Sequence, residues 1–307
     1  MEGILPLYKP AGLTSHDCVF KLRKILKTKK VGHTGTLDPD VTGVLPICIG
    51  RATKVAEYIT DAGKAYEGEV TLGVSTETED ASGEIIEESP VNRIITRQEI
   101  LDVFESLTGE IIQTPPMYSA VKVNGKRLYE YARKGIEVER PSRKVQIYKL
   151  ELLDERNDFS GSKISFKFHA ECSKGTYIRT LAVMIGERLG LPAHMSSLVR
   201  TRSATYLLKD CYHFNDIEEL MEKGEIDKAL QPIETALMHL PKYRISDKVA
   251  EKVMNGARLP LPDEFSEVSG PIAVENMAGK VMAIYSKHPE KEGLMKPVKV
   301  LRNEREN

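Results

Sequence analysis

The sequence predicts an α+β fold, and three observations carry that prediction. Apolar residues at helical spacing interleave with strict alternation, without the regular strand–helix–strand repetition of a doubly wound sheet. Neither a P-loop run (GxxxxGKS or GxxxxGKT) nor GxGxxG occurs, so the phosphate-binding turns that often open such sheets are missing. The 307 residues, 41% hydrophobic and 29% charged, suffice for a sizeable core in about two domains.

Residues 15–30 set Cys18, Leu22, Ile25 and Leu26 three or four apart, the stripe of one helical face. Tyr66, Val70, Leu72 and Val74 alternate with polar residues, as in a half-buried strand. Thr96 and Glu99 have capping-box spacing, opening a helix through Ile100, Phe104 and Leu107 that Gly109 is placed to end. Ile164, Phe166, Phe168, Ala170 and Cys172 alternate again, and CSKG leads on to Ile178, Leu181, Ile185 and Leu189 at helical spacing. After a long acidic, helical stretch a boundary falls near 240–243, in HLPKYRIS. Beyond it a short helix, 246–255, stops at Gly256 and precedes the strand-like runs PIAVE, KVMAIYS and PVKVL. A C-terminal unit of about 65 residues is marginal alone and needs to dock on its neighbour.

Several function classes are disfavoured. The 44 Lys and Arg nearly cancel the 45 Asp and Glu, leaving a net charge of -1, which excludes a uniformly basic coat but not one basic side. The opening MEGILPLYKP lacks the features of a secretion signal, and no apolar run approaches the ~20 residues of a bilayer span. Cys18, Cys48, Cys172 and Cys211 are scattered without a CxxC pair, reading as buried or incidental thiols in a reducing, cytoplasmic compartment. HExxH and GxSxG are absent, and the seven histidines form no short-spaced ligand pair, so no metal is expected.

The most unusual stretch is 31–50, VGHTGTLDPDVTGVLPICIG, with Gly32, Gly35, Gly43, His33, two prolines and two carboxylates. Glycines permit positive φ and close backbone approach, and Pro39 restricts Asp38 to extended geometry. On loop chemistry alone this is a tight turn with Asp38 as a turn former. The alternative is a carboxylate held rigidly at a cleft, usable as a nucleophile or base.

GHTGTLDPDVTGVLPICIGRATK resembles the catalytic motif of the TruB-type tRNA pseudouridine synthases, which isomerise uridine 55 in the T-loop. YKPAGLTSHD resembles the family's opening segment and KAYEGEVTLGVSTETEDASG its second motif. PPMYSAVKVNGKRLYEYARKG, CSKGTYIRTLA and HMSSLVRTRSA continue in the family's order, so the likeness runs over residues 3–205. It implies a mixed, mainly antiparallel catalytic sheet over 1–240, with a basic RNA-gripping insertion near 115–146. It also implies a small PUA-like RNA-binding domain over 241–307, by position and length more than by motif.

The resemblance further implies roles for individual residues. Asp38 stands at the nucleophile's place in GTLDP, and Arg179, in GTYIRT, at that of its ion-pair partner. Tyr66 matches the ring that stacks on the flipped uracil, and His33 a histidine that helps hold the RNA. Leu198 matches an apolar contact to the base, while Lys54 and Asp80 fall at further family positions. Breaking N1–C1′, turning the base and joining C5 to C1′ interconverts isomers, so no cofactor is expected. The expected partner is the tRNA T-arm stem-loop, met by a monomer with no obligatory protein partner and no membrane.

Charge patterning agrees with an RNA partner. KLRKILKTKK, which includes Lys29 and Lys30, carries no acid. Residues 122–144 hold eight basic residues, Lys126 and Arg127 among them, against three acidic ones. Tyr118, Tyr129 and Tyr131 interleave with that second cluster, a combination suited to unpaired RNA. A charge run is more often a solvated helix face. Here, however, acids are segregated into 77–88 and 210–227, which leaves room for one basic side.

Overall fold

A nine-stranded sheet organises the computed structural model, which describes residues 1–303. Its main path runs Gly3–Lys9, Thr42–Ile49, Ala193–Ser203, Lys64–Leu72, Ile164–Cys172, Arg143–Leu152, Gly109–Gln113. Val31–His33 pairs with Thr42–Ile49, and Tyr206–Leu207 with Ala193–Ser203. Every pairing in this sheet is antiparallel except that of Thr42–Ile49 with Ala193–Ser203. The mixed, mainly antiparallel α+β expectation holds.

Side-chain alternation decides which face is covered. In Ile164–Cys172 every odd position of the strand is buried, and its partners Leu72, Val70, Gly68, Tyr66 and Lys64 face the same way. Arg97–Leu107 and Ile178–Leu189 lie on that face, adding Ile100, Phe104, Leu181 and Ile185 to one core. Thr42–Ile49 instead is buried from Gly43 onward, because apolar groups pack on both of its sides.

Helix ends follow local chemistry. Thr96 and Glu99 form the expected capping box, but Arg97–Leu107 stops before Gly109 because Thr108 is already extended. Gly190, with φ 73°, caps Ile178–Leu189 in the left-handed conformation. The first helix, Ser15–Ile25, is shorter than the 15–30 expected from spacing. Lys27 turns left-handed at φ 50°, and Thr28 N–H donates to Arg23 O at 3.2 Å, closing a Schellman-type end. The lysines beyond it therefore lie on a loop.

A second, five-stranded sheet follows, in the order Lys242–Arg244, Ile272–Glu275, Val281–Lys287, Leu294–Val300, Leu259–Pro260, with helix Asp247–Met254 beside it. Ala273, Val281, Ile284 and Leu301 enter one core with Ile4, Val44, Cys48, Tyr58 and Leu237. Apolar area removed from water in this way, about 25 cal/mol per Å², stabilises the smaller sheet against the larger unit. Among the described residues no helix is long and apolar enough to cross a membrane.

Candidate active site

Strand register assembles the floor of the site from residues far apart in sequence. Lys9 lies opposite Gly43, Gly43 opposite Arg200, Arg200 opposite Tyr66, and Tyr66 opposite Ala170. Directly opposed residues project from the same face of a sheet. Lys9, Arg200 and Tyr66 therefore stand in one row, with Gly43 and Ala170 leaving space between and beside them.

The segment carrying Asp38 crosses above this row and is tied to it by backbone carbonyls. Lys9 Nζ, fully buried, donates to Pro10 O at 2.9 Å and to Pro39 O and Val41 O at 2.7 Å each. Burial lowers the Lys9 pKa, the nearby acids opposing it. Ser15 Oγ accepts from Leu37 N at 2.9 Å, and Gly35 takes φ 74° as the chain turns. The loop is thus held on both sides of Asp38.

Arg179, 5% exposed, projects from the first turn of Ile178–Leu189 and meets Asp38 side-on. Its Nε lies 3.1 Å from Asp38 Oδ2, and its Nη2 donates to Asp38 Oδ1 at 3.5 Å. The remaining donors reach Thr78 O and Tyr118 O, both at 2.9 Å, and Asp80 Oδ2 lies 3.5 Å from Nη1. One guanidinium thereby joins the Asp38 loop, the turn at 76–83 and the start of the insertion, a use of five fixed donors that Lys cannot copy. Asp80 is itself fixed, accepting from Thr78 Oγ1 and Ser82 Oγ at 2.6 Å each and from Ser82 N at 3.0 Å.

The walls of the recess raise the Asp38 pKa above the ordinary carboxylate value, and Arg179 pulls the other way. The side chain keeps 42% of its surface accessible, so water at the mouth tempers that rise. A carboxylate at an open mouth with a buried cation behind it can stay ionised and still meet a substrate. Burial likewise raises the Tyr66 phenol, opposed by the nearby charge of Arg200.

The other sequence-derived candidates divide. Asp80 belongs to the Arg179 cluster. His33 sits at the start of the loop with Nδ1 buried and lacking a hydrogen-bond partner among the described residues, its pKa lowered by burial. Leu198 lies opposite Gly68, two residues along the strand from Tyr66 and so on the same face, and packs against the core. Lys54 lies elsewhere: its Nζ donates to Val300 O at 3.3 Å, and Lys299 Nζ reaches its carbonyl at 2.8 Å, at the junction with the smaller sheet. Lys29 and Lys30 are exposed on the loop after the first helix. Lys126 and Arg127 are exposed on a hairpin with Lys122–Val123, turned by Asn124 and Gly125 at φ 50° and 80°.

Three contributors were not found from sequence: Lys9, Arg200 and the Tyr118 carbonyl. None of the three carried a readable local signal. Buried cations on strands carry none, since Lys and Arg are ordinarily exposed. Among the described residues no group of three or more His, Cys, Asp or Glu is placed to hold a metal ion.

Comparison with known proteins bears on this geometry. Residues 23–178 match the family model described as "TruB family pseudouridylate synthase (N terminal domain)", and residues 179–238 match "tRNA pseudouridylate synthase B C-terminal domain". The chain is 62% identical to "tRNA pseudouridine synthase B" of Geobacillus thermodenitrificans, over 98% of this chain and 100% of that protein. It is 58% identical to the protein of the same name from Bacillus cytotoxicus, over 100% and 99%. Among solved structures, a chain of a Cbf5–Nop10–Gar1 complex superposes with TM-score 0.76 at 30% identity, covering 98% of this chain and 85% of that one. A chain of an archaeal Nop10–Cbf5 complex does so with TM-score 0.74 at 28% identity, covering 98% and 86%.

Proposed function

We propose that this chain, which belongs to the TruB family of pseudouridylate synthases, acts on uridine 55 of the tRNA T-loop with Asp38 as its nucleophile. It is an isomerase that makes pseudouridine in tRNA. The observation that carries the finer reading is the Asp38–Arg179 pair at 3.1 Å, with Asp38 open to the surface and Arg179 buried behind it. Three operations are needed: exposing the base, cleaving N1–C1′, and rejoining through C5. An ionised carboxylate at the mouth of a recess meets the sugar once the nucleotide has left its stack, at a flipping cost of a few kcal/mol. Tyr66, at the floor, offers a ring for the extruded base, with Leu198 as an apolar neighbour on the same face. Lys29, Lys30, Lys126 and Arg127 supply exposed cations for phosphates on either side, and His33 borders the entry.

The unit beyond residue 240 serves as an accessory RNA-binding surface of the PUA kind. The protein works in the cytoplasm as a monomer, without metal, cofactor or obligatory protein partner. A second reading, action inside a guided assembly, is favoured by the likeness to chains solved in Cbf5 complexes. One experiment separates the two: pseudouridine mapped by position in an unmodified, protein-free tRNA transcript, with wild type and Asp38→Asn side by side. Product at uridine 55 from wild type alone supports the stand-alone reading. No product despite tRNA binding favours the guided one, and product from both proteins removes Asp38 as the nucleophile.

A further inference from the structure

Arg200 is absent from the mechanism above, and its environment is unusual. It is 0% exposed, among the largest fully buried side chains, and among the described residues it forms no ion pair with a carboxylate. Its donors go to neutral acceptors: Nε to Val44 O at 2.7 Å and Nη2 to Gly35 O at 3.1 Å. Tyr66 stands directly across the strand pair from it, on the same face of the sheet. A buried cation without a counter-charge is costly, and an apolar side chain would fill the same space more cheaply. What distinguishes the guanidinium is the set of three segments that it joins.

Those segments are the two sides of the site. Gly35 belongs to the loop that presents Asp38, Val44 to the strand into which that loop feeds, and Tyr66 to the floor. The surroundings make room for the arrangement. A Cβ on Gly43 would lie 2.3 Å from Arg200 O, so only glycine lets the 42–49 strand approach. A Cβ on Gly35 would lie 3.6 Å from Arg200 Nη1 and 3.3 Å from Lys64 Cε.

We propose that Arg200 is a positioning residue for the isomerisation, tying the Gly35 and Val44 carbonyls to the strand position directly across from Tyr66 so that floor and nucleophile loop keep their relative placement. The proposal rests on the roles given above to Asp38 and Tyr66. It touches neither substrate nor Asp38; it acts through the residues it holds. Relaxing the frame leaves RNA grip intact, since phosphate-facing cations lie elsewhere, and lowers the rate of the chemical step.

The test is a double-mutant cycle on the full chain with Arg200→Lys, Tyr66→Phe and the pair, read in three ways. Single-turnover pseudouridine formation at saturating tRNA is expected to fall about 100-fold in Arg200→Lys, the scale of a ~1 Å misplacement, with tRNA affinity unchanged. In the Tyr66→Phe background the same substitution is expected to change the rate by no more than about twofold, whereas independent sites would multiply their losses. Melting temperatures should show the same coupling, and they need no RNA, so they test the Arg200–Tyr66 link even if the substrate assignment fails. Wild-type product at uridine 55 tests that assignment separately. Near-wild-type turnover in Arg200→Lys, or losses that multiply, overturns the proposal. Should Arg200→Lys not fold, Gly35→Ala tests the frame from the loop side with Arg200 in place. Reduced turnover with retained affinity supports the frame, and unchanged turnover overturns it.

Discussion

Replacing Arg179 with methionine is the most informative single perturbation of the site. It keeps the stem of the side chain and removes every donor from a position that is 5% exposed. Asp38 loses contacts at 3.1 and 3.5 Å, and the carbonyls of Thr78 and Tyr118 each lose a donor at 2.9 Å. At an effective dielectric of about 20, charges some 3 Å apart attract by about 5 kcal/mol before desolvation is counted. Breaking a buried pair typically costs about 3–5 kcal/mol, and the accessible face of Asp38 argues for the lower end. A loss of about 3 kcal/mol lowers the melting temperature by roughly 5–10 °C in a chain of this size. The rate effect is larger, because the guanidinium also presets where Asp38 stands; removal of one such charge-stabilising donor costs about 100- to 1,000-fold.

The pH profile supplies an independent check. A nucleophilic carboxylate works ionised, so rate is lost as pH falls through its pKa. Burial has raised that pKa and Arg179 opposes the rise. Deleting Arg179 removes the opposing influence and moves the acid limb of kcat/KM to higher pH. Arg179→Lys keeps a charge, so it should return part of that limb without restoring the rate, because one ammonium cannot reach three segments. Calorimetry with single-turnover assays from pH 5 to 9 measures all of this. A folded Arg179→Met protein with near-normal turnover, or an unmoved acid limb, would refute the ion-pair reasoning.

Three further outcomes are expected. Lys9→Met strips a buried ammonium from three carbonyls at 2.7–2.9 Å. Relief of the ammonium's desolvation offsets part of the loss, leaving about 3 kcal/mol in denaturant unfolding and a clear drop in turnover. Gly43→Ala and Gly125→Ala both place a side chain at positive φ, yet their costs should differ widely. The first sets Cβ 2.3 Å from Arg200 O, whereas the second meets nothing within 4 Å. Thermal melts should show collapse of the fold for Gly43→Ala and a loss of only about 1–2 kcal/mol for Gly125→Ala. In filter binding, the logarithm of the tRNA association constant should fall linearly with log salt, and Lys126→Ala or Arg127→Ala should each reduce the slope by about 1. A flat salt response would exclude the hairpin cations as phosphate contacts.

The parts of the fold written in local periodicity were readable without a structure. The capping box at Thr96 and Glu99 and the alternation from Ile164 to Cys172 lie where expected, because each depends on residues a few positions apart. Helix ends were less legible: the apolar spacing through Leu26 was extended into the lysines at 27–30, whose loop is set by a left-handed Lys27. Asp38, Tyr66 and Arg179 could be named only through the resemblance of ordered motifs. Considered singly, each has a commoner structural role.

What the sequence by itself determined was the α+β class, the order of its main elements and the identity of the carboxylate worth testing. Short-range pattern and motif order are properties of the linear chain. The tertiary structure alone decided that residues 9, 43, 200, 66 and 170 form one row, since strand register pairs positions as far apart in sequence as Gly43 and Arg200. It also placed Lys54, the last residue of the stretch GHTGTLDPDVTGVLPICIGRATK that carries Asp38, at the junction with the smaller sheet. The physical reason is common to both. A cation drawn out of water, wholly for Arg200 and partly for Lys54, is stabilised by carbonyls that converge on it in space, and no local pattern in the chain records where those carbonyls will be.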